Sequence, residues 1–135
     1  MAAGESALEA GGDHVLIVDA ANVVGSRPNG WWRDRPGAAR ALVAQLHDAT
    51  EAGQLPMPVI VVLEGRAKGG ADEGTIGDVT VVHAERDGDE AIVALSSGET
   101  RPIVLVSADR ALRSRVAAEG ATAVGPSWLW GRIEV

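Results

Sequence analysis

Four acidic residues, spread over most of the sequence, have the side chains and surroundings that could carry out chemistry. Asp19 and Glu64 directly follow short apolar runs, and Asp109 follows another after two small residues. Asp89 opens a helical pattern soon after a further apolar run. Carboxylates brought together without a cation would repel one another, and the simplest physical remedy is a hard divalent metal with oxygen ligands, Mg²⁺ or Mn²⁺.

A metal site built from carboxylates is suited to phosphodiester hydrolysis. Two such ions ~3.5–4 Å apart can activate water, hold the scissile phosphate and stabilise the leaving oxygen. We therefore take four acids as candidate metal ligands: Asp19, Glu64, Asp89 and Asp109. A phosphate-bearing partner would be attracted by the metal and by arginine side chains, although the formal net charge of the chain is -7.

Two neutral polar residues lie close to these acids in sequence. Asn22 follows Asp19 by one helical turn and cannot titrate, so it could orient a carboxylate, a metal-bound water or a phosphate by hydrogen bonding. Ser107 precedes Asp109 by two residues and could act in a similar way. The alternative for both is that they satisfy turn backbone, and Asp19 taken alone could be a simple turn cap.

The elements that must position these residues alternate between strand and helix patterns. Apolar runs predict five buried strands, over 15–18, 59–63, 79–84, 103–106 and 121–124. Helices are predicted from Pro36 to Gly53, from Asp87 or Asp89 to Gly98, over 110–120, and as a short turn from Pro126. This alternation predicts an α/β fold, a three-layer α/β/α sandwich with a central, mostly parallel sheet of about five strands, in which all strand ends meet at one edge.

A turn-rich stretch after the first strand combines arginine with tryptophan. Arg27, Arg33 and Arg35 surround the pair Trp31 and Trp32. This composition indicates a lip that contacts RNA, with arginine on phosphate and one indole on a base. The alternative, which we weigh equally, is that the tryptophan pair packs under the first long helix.

Two further segments are interpreted from composition. Residues 65–77 contain five glycines together with Arg66 and Lys68, and they predict a flexible loop that is either a plain linker or a phosphate-contacting segment. Near the end of the chain, Trp128 and Trp130 are predicted to pack against the core rather than to stack on bases.

Composition limits the class of protein. The chain of 135 residues suits one domain, assigned to 13–135, and without cysteine it can form neither a disulfide framework nor a zinc-thiolate site. Residues 1–12 have neither the basic nor the apolar region of a secretory signal, so we predict a disordered lead-in and a cytoplasmic protein. No apolar run approaches the ~20 residues of a membrane span.

Several of these segments resemble one known family. Residues 18–24, with Asp19 and Asn22, are similar to the opening Asp-x-x-Asn motif of the NYN branch of PIN-like nucleases, especially its YacP-like members. The pair Glu64–Gly65 resembles the acid-Gly pair that ends their second strand, and 89–92 resembles their later Asp-x-x-Ile helix start. Residues 107–112 are similar to their Ser/Thr-x-Asp-Arg-x-Leu segment, so the likeness extends in order over most of 14–130.

The resemblance implies a PIN-like fold and metal-dependent ribonuclease activity. Asp19, Asp89 and Asp109 match the main acidic positions of the family, and with Asn22 they form the candidate catalytic set. Ala20 stands where the family usually has glycine, and Glu64 stands where it usually has aspartate. RNA, free or associated with the ribosome, is the implied partner. The segment 31–35 has no family role to carry over, so its arginines are candidates on composition. The full set of candidate substrate-binding residues is Arg27, Arg33, Arg35, Arg66, Lys68, Ser107 and Arg110.

Other functions of the same fold class were weighed. A non-catalytic RNA- or ribosome-binding module would need the basic rim but not the acid cluster. A phosphoacceptor receiver domain expects adjacent acids after the first strand and a late lysine, and a haloacid-type phosphatase expects Asp-x-Asp, whereas position 21 is alanine. Whether Asp87 or Glu90 joins the metal site is left open.

Overall fold

A computed structural model describes residues 14–134, so the lead-in predicted for 1–12 lies outside the described residues. Strands and helices alternate along this part of the chain. In order they are β1 (Val15–Asp19), α1 (Ala20–Gly25), α2 (Arg35–Glu51), β2 (Val59–Leu63), β3 (Gly74–Ile76), β4 (Val79–His83), α3 (Gly88–Gly98), β5 (Ile103–Val106), α4 (Arg110–Ala117), β6 (Thr122–Val124) and α5 (Pro126–Ile133). Short 3₁₀ helices cover Trp31–Arg33 and Gly65–Gly70.

The strands form one sheet in the order β3-β4-β2-β1-β5-β6. All neighbouring strands are parallel except β3, which runs antiparallel to β4. The predicted three-layer α/β/α sandwich with a mostly parallel sheet is therefore confirmed. The sheet of the described residues has six strands rather than about five, because β3 forms within the glycine-rich segment that was predicted as a loop.

Strand β1 is the centre of this sheet because its side chains need burial on both faces. Every residue of β1 is buried. Its neighbours are β2 and β5, and Ile17 is in register with Ile60 on one side and with Leu105 on the other. The sequence of a strand that is buried on both faces is a continuous apolar run, as it is over residues 15–18.

Helices cover both faces of the sheet and bury a core on each. On one face, Leu46 of α2 and Leu129 of α5 pack against the sheet. On the other, Ile92 of α3 and Leu112 of α4 do so. Trp128 and Trp130 pack against the first of these cores, as predicted. None of the helices in residues 14–134 is long and apolar enough to cross a membrane.

The glycine-rich segment 65–77 is folded where a flexible loop was predicted. Its 3₁₀ helix packs directly on α2, and Gly70 lies at the contact. A Cβ atom built on Gly70 would lie 2.2 Å from the backbone oxygen of Pro36 and 2.9 Å from the backbone nitrogen of Arg40. Only glycine permits this approach, so the glycine content reflects close packing as well as turn geometry.

We expect Gly70→Ala to lower the free energy of unfolding by about 1–3 kcal/mol, because backbone atoms of α2 cannot move aside for the added methyl group. Urea unfolding followed by circular dichroism measures the change. Gly98→Ala is the matched control, since a Cβ at that helical position meets nothing within 4 Å. Equal urea midpoints for Gly70→Ala and the wild type would show that the 3₁₀ helix is not held against α2.

Candidate active site

The crevice outside the carboxyl ends of β1 and β5 has the position of a ligand site. The chain proceeds from β1 outward to β4 on one side, and then crosses to β5 on the other side of β1. Helix α1 after β1 packs on one face of the sheet, whereas α4 after β5 packs on the opposite face. The two segments therefore diverge, and ligands of open α/β sheets bind at such a switch point.

Asp19 lies at the bottom of this crevice, where the central strand ends. The residue as a whole is only 5% exposed. One carboxylate oxygen accepts a hydrogen bond from the Asn22 backbone N–H at 3.4 Å, and the other accepts one from the Ser107 hydroxyl at 2.9 Å. Asp19 is thus the N-cap of α1, and this role is compatible with its being a candidate metal ligand.

Ser107 and Asn22 join the two segments that border the crevice. Ser107 is fully buried, and its hydroxyl donates to Asp19 while accepting from the Asp109 backbone N–H at 3.1 Å. The Asn22 side-chain oxygen accepts from the Ala108 backbone N–H at 2.8 Å. Ser107 was predicted among the substrate-binding residues. It lies beneath the site, where its hydroxyl contacts the Asp19 carboxylate and the Asp109 backbone. Asn22 satisfies turn backbone, the alternative considered for it.

The other acids approach from three separate segments. Asp109 is the N-cap of α4 and accepts from the Leu112 backbone N–H at 3.1 Å. Asp87 is the N-cap of α3, which resolves the choice between Asp87 and Asp89 and leaves Asp89 in the first helical turn. Glu64, at the end of β2, accepts from the Gly88 backbone N–H at 2.8 Å and ties that strand to the start of α3.

These carboxylates are close enough to act on one another electrostatically. Burial raises the pKa of Asp19 from 3.8 to about 6; the hydrogen bonds from Ser107 and Asn22 lower it, and the charges of Asp89 and Glu64 raise it. The pKa of Asp89 is raised as well, first by burial and then by the charges of Asp109, Asp87 and Glu64, against the opposing charge of Arg115. The four predicted acids therefore share one electrostatic environment.

This donor set fits a hard divalent cation in its chemistry. All four side chains are carboxylates, which Mg²⁺ and Mn²⁺ accept, and a carboxylate that receives one backbone hydrogen bond keeps further lone pairs. Within residues 14–134, however, no group of three or more acidic or histidine side chains is already arranged to hold a metal ion. Glu64 and Asp109 each direct one oxygen to a helix N-terminus.

Most of the basic residues that were predicted to bind substrate are exposed. Arg110 directly follows Asp109 and is exposed at the start of α4, and Arg66 is exposed while Lys68 is half-buried in the Gly65–Gly70 helix. The guanidinium of Arg33 lies 5.9 Å from the ring centre of Trp32. These side chains, except for the half-buried Lys68, are therefore accessible to solvent.

Arg27 is engaged with the end of the chain. Its two terminal nitrogens donate to the Glu134 carboxylate at 2.5 and 2.6 Å, and its guanidinium lies 4.3 Å from the ring centre of Trp130. The predicted substrate contact of Arg27 therefore requires that Glu134 be displaced. Neither partner was suggested by the sequence, because α5 is far from α1 along the chain and only the fold brings them together.

The two tryptophans of the pair 31–32 differ in exposure. Trp31 and Trp32 form one 3₁₀ helix with their rings edge to face, 5.9 Å apart. Trp32 is 51% exposed, whereas Trp31 is half-buried and has the Arg35 guanidinium 5.1 Å from its ring centre. The pair does not pack beneath α2 as a unit, and Trp31 faces two cavities.

Two cavities flank α1, and Ala21 and Trp31 border both. The larger, of about 860 Å³, extends from Asn22 and Ala108 to α5. The smaller, of about 460 Å³, lies toward Glu64 and is lined in addition by Arg86, which sequence reasoning missed although it directly precedes Asp87. We refer to them as the larger cavity and the smaller cavity.

The layers, the strand order and the acidic carboxyl edge together define a three-layer α/β/α protein of PIN-like fold. Among solved structures, Rae1 (YacP) from Bacillus subtilis is similar, with a TM-score of 0.72 and 21% identity over 89% of this chain and 73% of that one. A single-substitution variant of Rae1 gives 0.68 and 19% over 90% and 75%. No protein-family model and no curated sequence matches. At these identities the likeness establishes a YacP-like fold.

We expect Asp19→Asn to stabilise the metal-free protein at neutral and higher pH. The folded-state pKa of about 6 lies above the ordinary 3.8, so the folded protein loses stability as pH rises from about 4 through 6. At about 1.4 kcal/mol for each pKa unit, the cost is about 3 kcal/mol. Urea unfolding in chelator should show the variant more stable above about pH 6 and the difference disappearing below about pH 4.

Ser107→Ala provides the opposite change at the same carboxylate. It removes the hydroxyl donor of Asp19, so this variant should be less stable than the wild type at about pH 8. If the unfolding free energies of wild type and Asp19→Asn differ by the same amount at every pH, the carboxylate of Asp19 does not carry the burial cost.

Proposed function

We propose that the protein is a metal-dependent endoribonuclease that hydrolyses RNA phosphodiester bonds. The observation that carries the proposal is the electrostatic coupling of acids from four chain segments, because burial and neighbouring carboxylates raise the pKa of Asp19 and of Asp89. Unbalanced negative charge of this kind costs stability and is expected where a cation or proton is used. The proposed metal ligands are Asp19, Glu64, Asp89 and Asp109.

The chain's own residues have distinct parts in this proposal. Mg²⁺ or Mn²⁺, when bound, would supply the stabilisation of negative charge on the phosphate and an activated water. Ser107 fixes the orientation of the Asp19 carboxylate, and Asn22 holds the backbone between Ser107 and Asp109. The acids are thereby set on rigid supports, so little reorganisation would accompany the reaction.

RNA is the proposed partner, free or at the ribosome in the cytoplasm. The exposed Arg33, Arg66 and Arg110 offer phosphate contacts around an edge that is otherwise acidic. With a net charge of -7 for the whole chain, attraction of RNA would be local to this rim and strongly dependent on salt. The sequence resemblance to YacP-like nucleases and the similarity to the Rae1 structure both support this assignment.

A non-catalytic RNA-binding module is the second candidate function. The observation that favours it is that no three metal-ligating side chains of residues 14–134 are already grouped around a common point. Such a module would use the same basic rim and the same cavities without cleaving the RNA that it binds.

We expect Asp109→Asn to lower the rate of RNA cleavage by about 100-fold or more in Mg²⁺ or Mn²⁺, because one of the proposed carboxylate ligands of the metal ion loses its charge. Asparagine caps helices as well as aspartate does, so α4 should stay folded. Asp34→Asn is the matched control, since Asp34 caps α2 in the same way by accepting from the Gly37 N–H at 2.9 Å.

Initial rates on a labelled single-stranded RNA, with circular dichroism of each variant, measure this effect. A wild-type rate for Asp109→Asn contradicts the nuclease proposal. Wild-type protein that binds RNA yet leaves it intact in both metals supports the binding module instead.

We expect Mn²⁺ to raise the thermal stability of the wild-type protein, because a bound cation relieves repulsion among the carboxylates. At a concentration about 100 times the dissociation constant the gain would be about 2.7 kcal/mol. Differential scanning fluorimetry with and without Mn²⁺ measures it, and Asp89→Asn should reduce the shift. An equal shift in wild type and in Asp89→Asn would place the ion elsewhere.

A further inference from the structure

We propose that the larger cavity binds one nucleotide of single-stranded RNA, with its phosphate on Arg27 in place of the Glu134 carboxylate. The inference rests on the proposed function, since the nucleotide would be the neighbour of the phosphodiester that is cleaved. It adds a defined binding site, a residue that competes with the substrate, and a preference for unpaired RNA.

The first argument is the position of the larger cavity. It begins at Asn22 and Ala108, which adjoin Asp19 and Asp109, and continues between α1 and α5. Its volume of about 860 Å³ lies within the range of ~300–1,000 Å³ that is common for small-molecule sites. An RNA strand whose phosphate lies at the acids would therefore place a neighbouring nucleotide in this cavity.

The second argument is the aromatic lining. Trp31 and Trp130 both border the cavity, and the indole N–H of Trp130 donates to the Ser26 hydroxyl at 3.0 Å, which fixes the ring. Bases of single-stranded nucleic acids stack on indole rings and on guanidinium planes, and the Arg27 guanidinium already lies over the Trp130 ring. Paired bases of a double helix cannot enter a cavity in this way.

The third argument is the nature of the present partner of Arg27. Two parallel N–H···O contacts from a guanidinium to Glu134 have the geometry in which arginine also binds phosphate. The side chains of Arg27 and Glu134 are 38% and 39% exposed, and an ion pair exposed to this degree contributes only ~0.2–1 kcal/mol. A phosphate that also gains stacking and metal contacts can therefore replace the carboxylate.

The smaller cavity does not suit this role. Its lining includes two carboxylates, Glu64 and Asp87, beside Arg35 and Arg86. Of the described residues, Arg27 and Glu134 are the only charged ones that line the larger cavity, so displacement of Glu134 leaves a single arginine there and no carboxylate to repel a phosphate.

Variants that close or open the larger cavity test the proposal. Gly131 lines it, and a Cβ there meets nothing within 4 Å, so Gly131→Leu should fold and fill the space. Gly98→Leu is the matched control, because Gly98 lies at the end of α3 outside this cavity and is equally open. Glu134→Gln removes the competing charge, and Arg27→Gln removes the phosphate contact.

Binding of a fluorescent single-stranded oligoribonucleotide is measured by anisotropy in chelator, where no cleavage occurs. We expect the dissociation constant to rise about tenfold or more in Gly131→Leu and to stay unchanged in Gly98→Leu. It should fall about two- to fivefold in Glu134→Gln and rise in Arg27→Gln. The same RNA as a duplex should bind more weakly than the single strand.

Cleavage kinetics separate this inference from the proposed function. In Mn²⁺, Glu134→Gln should lower KM and leave kcat unchanged. Wild-type affinity in Gly131→Leu, no gain in Glu134→Gln, or absence of RNA binding by the wild type would overturn the cavity assignment. If the variants change RNA binding as expected but no RNA is cleaved, the cavity assignment stands and the nuclease proposal fails. If RNA is cleaved but the variants do not change binding, the nuclease proposal stands and the cavity assignment fails.

Discussion

The burial of one carboxylate at the end of the central strand is the constraint on which the rest of the site depends. Asp19 follows four fully buried apolar residues and cannot reach bulk water as an exposed acid would. The buried hydroxyl of Ser107 and the first turn of α1 donate hydrogen bonds to that carboxylate. The charges of the neighbouring acids raise its pKa. A scaffold that keeps such a carboxylate without a permanent cationic side-chain partner retains electrostatic energy that a ligand cation can release.

Much of this arrangement could be predicted because it follows from local patterns. The run 15–18 identifies a strand buried on both faces, and an acid directly after it must emerge at the carboxyl edge. The same reasoning places Glu64 and Asp109 there. Gly53, with a φ of +72°, ends α2 where the sequence indicated.

What could not be predicted depends on contacts between distant segments. The glycines of 65–77 indicate mobility when they are considered alone, and only the approach of Gly70 to α2 shows that one of them is required for packing. Arg27 has the composition of a phosphate ligand, but its pairing with Glu134 exists only after α5 returns beside α1. Ser107 could equally have faced a substrate until its burial beneath Asp19 was seen.

Three of the acids at this edge cap helices, which affects what happens when mutation removes their charge. Asp19, Asp87 and Asp109 each accept a backbone N–H at a helix start, a task that asparagine performs as well. A codon for aspartate becomes one for asparagine by a single base change, so the charge can be lost while every helix keeps its beginning. Descendants of such a chain can lose the carboxylates of the proposed metal site without passing through an unfolded intermediate.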